Sequence, residues 1–83
     1  MAGSVFSPAY RTFLDCLIQA RKDVGVTQVE LATRLGKPQS YVSKVERGER
    51  RMDVVEFTEW SRGLGVAPQS LFADYLSYTS DAL

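Results

Sequence analysis

Residues 27–48, TQVELATRLGKPQSYVSKVERG, decide the fold of this 83-residue chain. Thr27 followed three places on by Glu30 forms a capping box, in which side-chain oxygens satisfy the unpaired N–H groups that open a helix. Leu31 and Leu35 repeat at i, i+4 and give that helix one apolar face. Gly36 supplies the left-handed residue that ends a helix, and Lys37-Pro38 keeps it from resuming. Proline is tolerated at the first helical position, where the N–H it lacks has no partner. A second helix is therefore predicted over residues 38–47, stopped by Gly48. The stretch reads as two short helices across a tight turn.

At about 100° per residue, Val42 and Val45 of the second helix fall together and face the core. Gln39, Ser40, Ser43, Lys44 and Arg47 fall on the opposite side, with Tyr41 at the boundary. The outward face thus holds an amide, two hydroxyls and two cations, and no acid. Amides and hydroxyls can read base edges in a major groove, while Lys and Arg read guanine or neutralise phosphate. A solvated helix face is polar too, so these residues by themselves leave both readings open.

Working outward, Ser7-Pro8 is a helix start, N-cap then proline. The helix that follows carries Phe13, Leu14, Leu17, Ile18 and Arg21 on one stripe and ends at Gly25. Val26 reads as a buried anchor. Beyond Gly48 a basic loop runs to Met52, and Asp53 with Glu56 caps a further helix. Its apolar face is Val54 or Val55 with Phe57, Trp60 and Leu64. Pro68 opens a last helix crowded with Leu71, Phe72, Tyr75, Leu76 and Tyr78. Strand-like alternation, repeats and low-complexity runs are absent from the sequence, so the fold class is all-α with five helices. Residues 1–6 are expected to be disordered, residues 7–78 to form the domain, and residues 79–83 to make a loose tail.

The formal net charge is zero, which taken alone argues mildly against nucleic acid. The distribution reverses that. Residues 21–51 hold eight bases (Arg21, Lys22, Arg34, Lys37, Lys44, Arg47, Arg50, Arg51) against four acids, whereas residues 52–83 hold Arg62 against five acids. A basic middle and an acidic end are hidden in a neutral total. With one cysteine, Cys16, and no histidine, an internal disulfide is excluded, and neither a metal site nor histidine-based catalysis is expected. Cys16 lies among apolar residues and reads as a buried filler. No apolar run is long enough to span a bilayer, and a cytoplasmic setting is expected. A carboxylate pair, an activated nucleophile and a phosphate loop are all missing, so no enzyme and no cofactor is expected.

The central stretch resembles the Cro/C1-type (XRE) helix-turn-helix proteins, which include phage repressors and many small bacterial regulators. The likeness covers about residues 17–66. It rests on Gln28, Leu31-Ala32, Gly36 in the turn, Val42 at a buried aliphatic position, and Glu46-Arg47-Gly48. It implies a five-helix, lambda-repressor-like domain that binds double-stranded DNA. By that resemblance Gln28 clamps a phosphate at a helix N-terminus. Gln39, Ser40, Ser43 and Lys44 occupy the base-reading positions. Lys37, Tyr41, Arg47, Arg50 and Arg51 are placed for backbone phosphates, although Arg50 and Arg51 read equally as solvated loop charges. Arg21 and Glu46 correspond to a buried pair tying the first helix to the end of the recognition helix. Trp60-Ser61-Arg62-Gly63 departs from the family pattern, and Gly63 in mid-helix is expected to cost roughly 0.5–1 kcal/mol relative to alanine.

A single short domain reading one half-site has few contacts, and two copies on an inverted-repeat operator solve this. Leu71, Phe72, Tyr75, Leu76 and Tyr78 exceed what one terminal helix buries against its own domain, and some of them are the expected homodimer contact. The alternative is that all five are core. The function expected is a transcriptional regulator, a repressor by resemblance. The competing expectation is an antitoxin or other interaction module whose main partner is a protein.

Overall fold

A computed structural model describes residues 7–79. Five helices follow one another: α1 (Pro8–Asp23), α2 (Gln28–Leu35), α3 (Gln39–Glu46), α4 (Val54–Leu64) and α5 (Pro68–Thr79). Among the described residues there is no strand. The starts of these helices are set by local chemistry. Ser7 Oγ accepts from the Tyr10 N–H and Pro8 follows it. Thr27 with Glu30, and Asp53 with Glu56, form two complete capping boxes. Gly36, at φ 67°, closes α2 in the left-handed region, where a Cβ is penalised.

Pro38 stands one place earlier than expected. Its ψ of 154° is extended, so it is the N-cap of α3, and Arg47 is the C-cap; the helix itself is Gln39–Glu46. The ring fixes φ but leaves ψ free, and the extended ψ is what turns the chain out of α2 before α3 begins.

The core gathers Leu14 and Leu17 of α1, Leu31 and Ala32 of α2, Val42 and Val45 of α3, Phe57, Trp60 and Leu64 of α4, and Leu71 of α5. Val26 and Cys16 join them, and burial pushes the Cys16 thiol above its ordinary pKa. α1 packs on α3 and α5, α2 on α3 and α4, and α4 on α5. Gly63 explains itself here. A Cβ at that position would lie 3.0 Å from Leu31 Cδ1 and 3.1 Å from Leu35 Cδ2. The glycine lets α4 approach α2 closely, and its carbonyl accepts from Arg34 at 2.9 Å. The helix cost read from the sequence therefore accompanies a packing requirement the sequence did not display.

Two expectations are corrected. Neither Val54 nor Val55 faces the core: they are 76% and 61% exposed, and the buried stripe of α4 is Phe57, Trp60, Ser61 and Leu64. Among the described residues nothing buries either valine at the first turn of α4. Thr79 is not tail. It ends α5 at 1% exposure, its hydroxyl donating to the Tyr75 carbonyl at 3.0 Å. The remaining tail positions and residues 1–6 lie outside the described residues.

Candidate nucleic-acid interface

α3 is fixed by its two fully buried valines, Val42 and Val45, each at 0% exposure. With those anchored, Gln39, Ser40 and Lys44 are exposed and Ser43 is half-buried. All four stand on the side away from the core. Ser43 Oγ accepts from Arg47, whose guanidinium also pairs with Glu49 at 2.7 Å. Pro38, the N-cap of α3, makes no side-chain cap hydrogen bond.

Behind this face Glu46 is 6% exposed. Arg21 donates to it from Nε at 2.7 Å and from Nη2 at 3.0 Å, and donates from Nη1 to the Val26 carbonyl at 2.9 Å. The pair named by resemblance thus joins α1 to the last residue of α3. Gln28 Nε2 donates to Glu46 Oε1 at 2.8 Å, and Gln39 Nε2 donates to Gln28 Oε1 at 3.0 Å. Gln28 is therefore tied between the ion pair and α3, at the start of α2.

The cations spread around α3 differ in how they are held. Arg50 pairs with Glu56 at 2.8 Å and lies 4.9 Å from the centre of the Tyr41 ring; Lys37 Nζ lies 5.4 Å from the same ring. Tyr41 is half-buried and leans on Trp60, with centroids 6.3 Å apart. Burial first, and Glu56 second, raises its hydroxyl above the ordinary tyrosine value. Arg51 stacks on Tyr10 at 4.1 Å. Arg50 and Arg51 are both exposed, and each lies against an aromatic ring, a geometry Arg favours.

Sequence reasoning missed two contributors. Glu56 was read only as a cap, yet it also anchors Arg50; the signal available was an acid facing the basic loop across Asp53. Arg11 donates to the Glu46 carbonyl at 3.4 Å, supporting the end of α3, and nothing in its spacing announced this. The open cleft of about 670 Å³ between α2 and α4 is lined by Arg34, Lys37, Arg62 and Glu59, a charged surface recess rather than an enclosed catalytic pocket. No helix among the described residues is long and apolar enough to cross a membrane.

Residues 17–71 match the helix-turn-helix family model. An XRE-family like protein from Pseudomonas syringae pv. tomato is 49% identical, with a TM-score of 0.81 over 87% of this chain and 88% of that one. The restriction-modification controller protein C.AhdI from Aeromonas hydrophila is 32% identical, with a TM-score of 0.71 over 80% of this chain and 100% of that one. A point mutant of the controller protein C.Esp1396I, at 22% identity, has a TM-score of 0.80 over 86% of this chain and 95% of that one, a likeness of fold. An uncharacterized HTH-type transcriptional regulator, y4dJ of Sinorhizobium fredii, is 40% identical over 47 residues, 57% of this chain. The match spans 61% of that curated relative's length. The chain belongs to the helix-turn-helix family of XRE, Cro/C1 type, a DNA-binding transcription-regulator fold.

Proposed function

We propose that the protein is a sequence-specific regulator, a cytoplasmic repressor and not an enzyme, that binds an inverted repeat in double-stranded DNA as a homodimer with α3 of each copy in a major groove. One observation carries the reading. The face of α3 opposite Val42 and Val45 holds Gln39, Ser40, Ser43 and Lys44 with no acid, and cations flank it. Gln39 and Lys44 have the reach to discriminate bases; the serines contribute through shorter or water-mediated contacts. Gln28, Lys37, Tyr41, Arg47, Arg50 and Arg51 fix register on the phosphates. The restriction-modification controller protein C.AhdI, at 32% identity, supports a regulatory role.

For the second copy, the terminal helix supplies less than expected. Leu71 is 2% exposed and is withdrawn from the dimer surface, because it packs between α5 and its own core. Tyr75 is half-buried, its ring edge-on to Phe13 with centroids 5.6 Å apart. Phe72, Leu76 and Tyr78 remain exposed. Val54 and Phe72 rim an open apolar groove of about 370 Å³ over Phe13, Met52 and Phe57, and that groove with Leu76 is the proposed homodimer contact. Tyr78, 73% exposed, favours a second reading in which another protein is also bound, as an antitoxin binds its partner. Co-purification with an unrelated chain distinguishes that reading from self-association.

The test is unbiased selection of bound DNA with the purified protein, repeated with Lys44→Ala. The expected result is an enriched inverted repeat that loses discrimination at one base position per half-site in the variant. Affinity should also fall steeply with salt, in proportion to the phosphates neutralised. Failure to enrich any sequence overturns the proposal.

A further inference from the structure

On the flank away from the proposed homodimer contact, α5 forms a second groove with α1. At about 100° per residue, Asp74 and Tyr78 lie nearly half a turn from Phe72 and Leu76, with Leu71 and Tyr75 packed inward between them. Two recesses of about 400 Å³ and 200 Å³ share Cys16, Gln19 and Tyr78, and so make one continuous channel. Its α1 wall runs from Thr12 to Asp23, roughly 16 Å at 1.5 Å per residue, or about three helical turns.

The floor is apolar and the rim is acidic. Leu71 and Cys16 close the floor at 2% and 8% exposure, while Val24 and Tyr78 stand 45% and 73% exposed beside it. Asp15, Asp23 and Asp74 line the groove, and among the described residues no Lys or Arg does. Carboxylates from both helices act at one point: after burial, Asp74 and then Asp15 hold the Cys16 thiol above its ordinary pKa. Asp15 is shared with Arg11 and Asp23 accepts from Gln19 at 2.8 Å, whereas Asp74 has no ion pair among the described residues. Nor does α1 need Asp23 for its own stability. It is the last residue of that helix, where the dipole disfavours an acid.

We propose that the α1–α5 groove docks a basic amphipathic helix of another protein. Its apolar stripe lies over Cys16 and Leu71 against the Tyr78 ring, and its Lys or Arg side chains meet Asp15, Asp23 and Asp74. Charge complementarity names this occupant, and an open channel three turns long suits a helix laid along it rather than an enclosed small molecule. The proposal rests on the protein-partner reading and gives it a site. It is independent of how α3 meets DNA, and the homodimer contact on the other flank of α5 stays free.

The probe is a synthetic helical peptide of about three turns, with leucines at i, i+3, i+4 and i+7 and lysines on both flanks. The same peptide flanked by glutamates is its control. Amide chemical shifts of the full-length protein locate binding, and fluorescence anisotropy measures it. The lysine peptide should shift amides of α1 between Thr12 and Asp23 and of α5 around Asp74 and Tyr78. It should bind at least roughly tenfold more tightly than the glutamate peptide, a gap that narrows with salt. The double variant Asp23→Asn, Asp74→Asn should weaken it about tenfold, as should Tyr78→Ala; all three side chains are exposed, so melting temperatures should hold. Shifts elsewhere on the protein, equal affinity for the two peptides, or undiminished binding to the double variant would overturn the proposal. So would binding that disappears as protein concentration rises, which would give the groove to a second copy. A co-purifying protein that binds the double variant as tightly as wild type would remove this groove while leaving the protein-partner reading in place.

Discussion

Glu46 accepts three hydrogen bonds through its carboxylate, two from Arg21 and one from Gln28, while the side chain of Arg21 is 11% exposed. A pair buried this deeply is not automatically stabilising, because desolvating two charges offsets much of their attraction. Removing one partner is different, since the other charge stays buried without compensation. Glu46→Ala is expected to cost roughly 3–5 kcal/mol, lowering the melting temperature by roughly 12 °C or more in a domain of this size. Asp15→Ala serves as the control: its pair with Arg11 joins side chains 39% and 66% exposed, and its loss should stay within about 0.5 kcal/mol. Thermal melts followed by circular dichroism compare the two. A Glu46→Ala protein that melts like wild type would sink the claim that this pair locks α3 to α1.

At the scale of elements, the helix ends were legible because capping is local chemistry, complete within four residues. Thr27 with Glu30 and Asp53 with Glu56 announce themselves without reference to the rest of the chain. What was not legible depends on neighbours distant in sequence. Val54 lies three residues before Phe57 and so shares its stripe, but only the folded chain reveals that it stays exposed among the described residues. Gly63 reads as a defect until Leu31 and Leu35 are brought against it. In the same way, the residues of the α3 face could be named from periodicity, whereas the Glu46–Gln28–Gln39 line could not, since it joins two separate helices. The caps also make stability depend on pH. Arg50, then the Asp53 backbone N–H, holds Glu56 below its ordinary value of 4.5, and Thr27 does the same for Glu30. A depressed folded pKa means that the stabilisation is fully present above the unfolded pKa and is lost as pH falls through the folded one. The melting temperature should be level between about pH 7 and pH 5 and drop below about pH 4.5. Glu56→Gln should be less stable at neutral pH and show a shallower acid limb. An acid limb as steep as wild type's in that variant would show that Glu56 contributes nothing to it.

For the molecule as a whole, Lys37, Arg47, Arg50 and Arg51 lie close to α3 in sequence and space, while exposed Val54, Val55, Phe72, Leu76 and Tyr78 lie on α4 and α5, with Val24 and Val29 exposed elsewhere. The proposed two-fold contact is the groove rimmed by Val54 of α4 and Phe72 of α5. Val54→Asp tests it cleanly. Val54 is 76% exposed and is the first residue of α4, where the helix dipole favours an acid, so the isolated domain should fold normally. In the dimer the same carboxylate would be buried against apolar groups, a desolvation that the contact cannot repay. Sedimentation equilibrium at micromolar concentration should give a wild-type dimer and a Val54→Asp monomer with unchanged helical content. The variant's affinity for an inverted repeat should fall much further than its affinity for a single half-site, because the lost cooperativity acts only where two copies bind together. A wild-type protein that remains monomeric at high micromolar concentration, or a Val54→Asp protein that still sediments as a dimer, would remove this groove from the account.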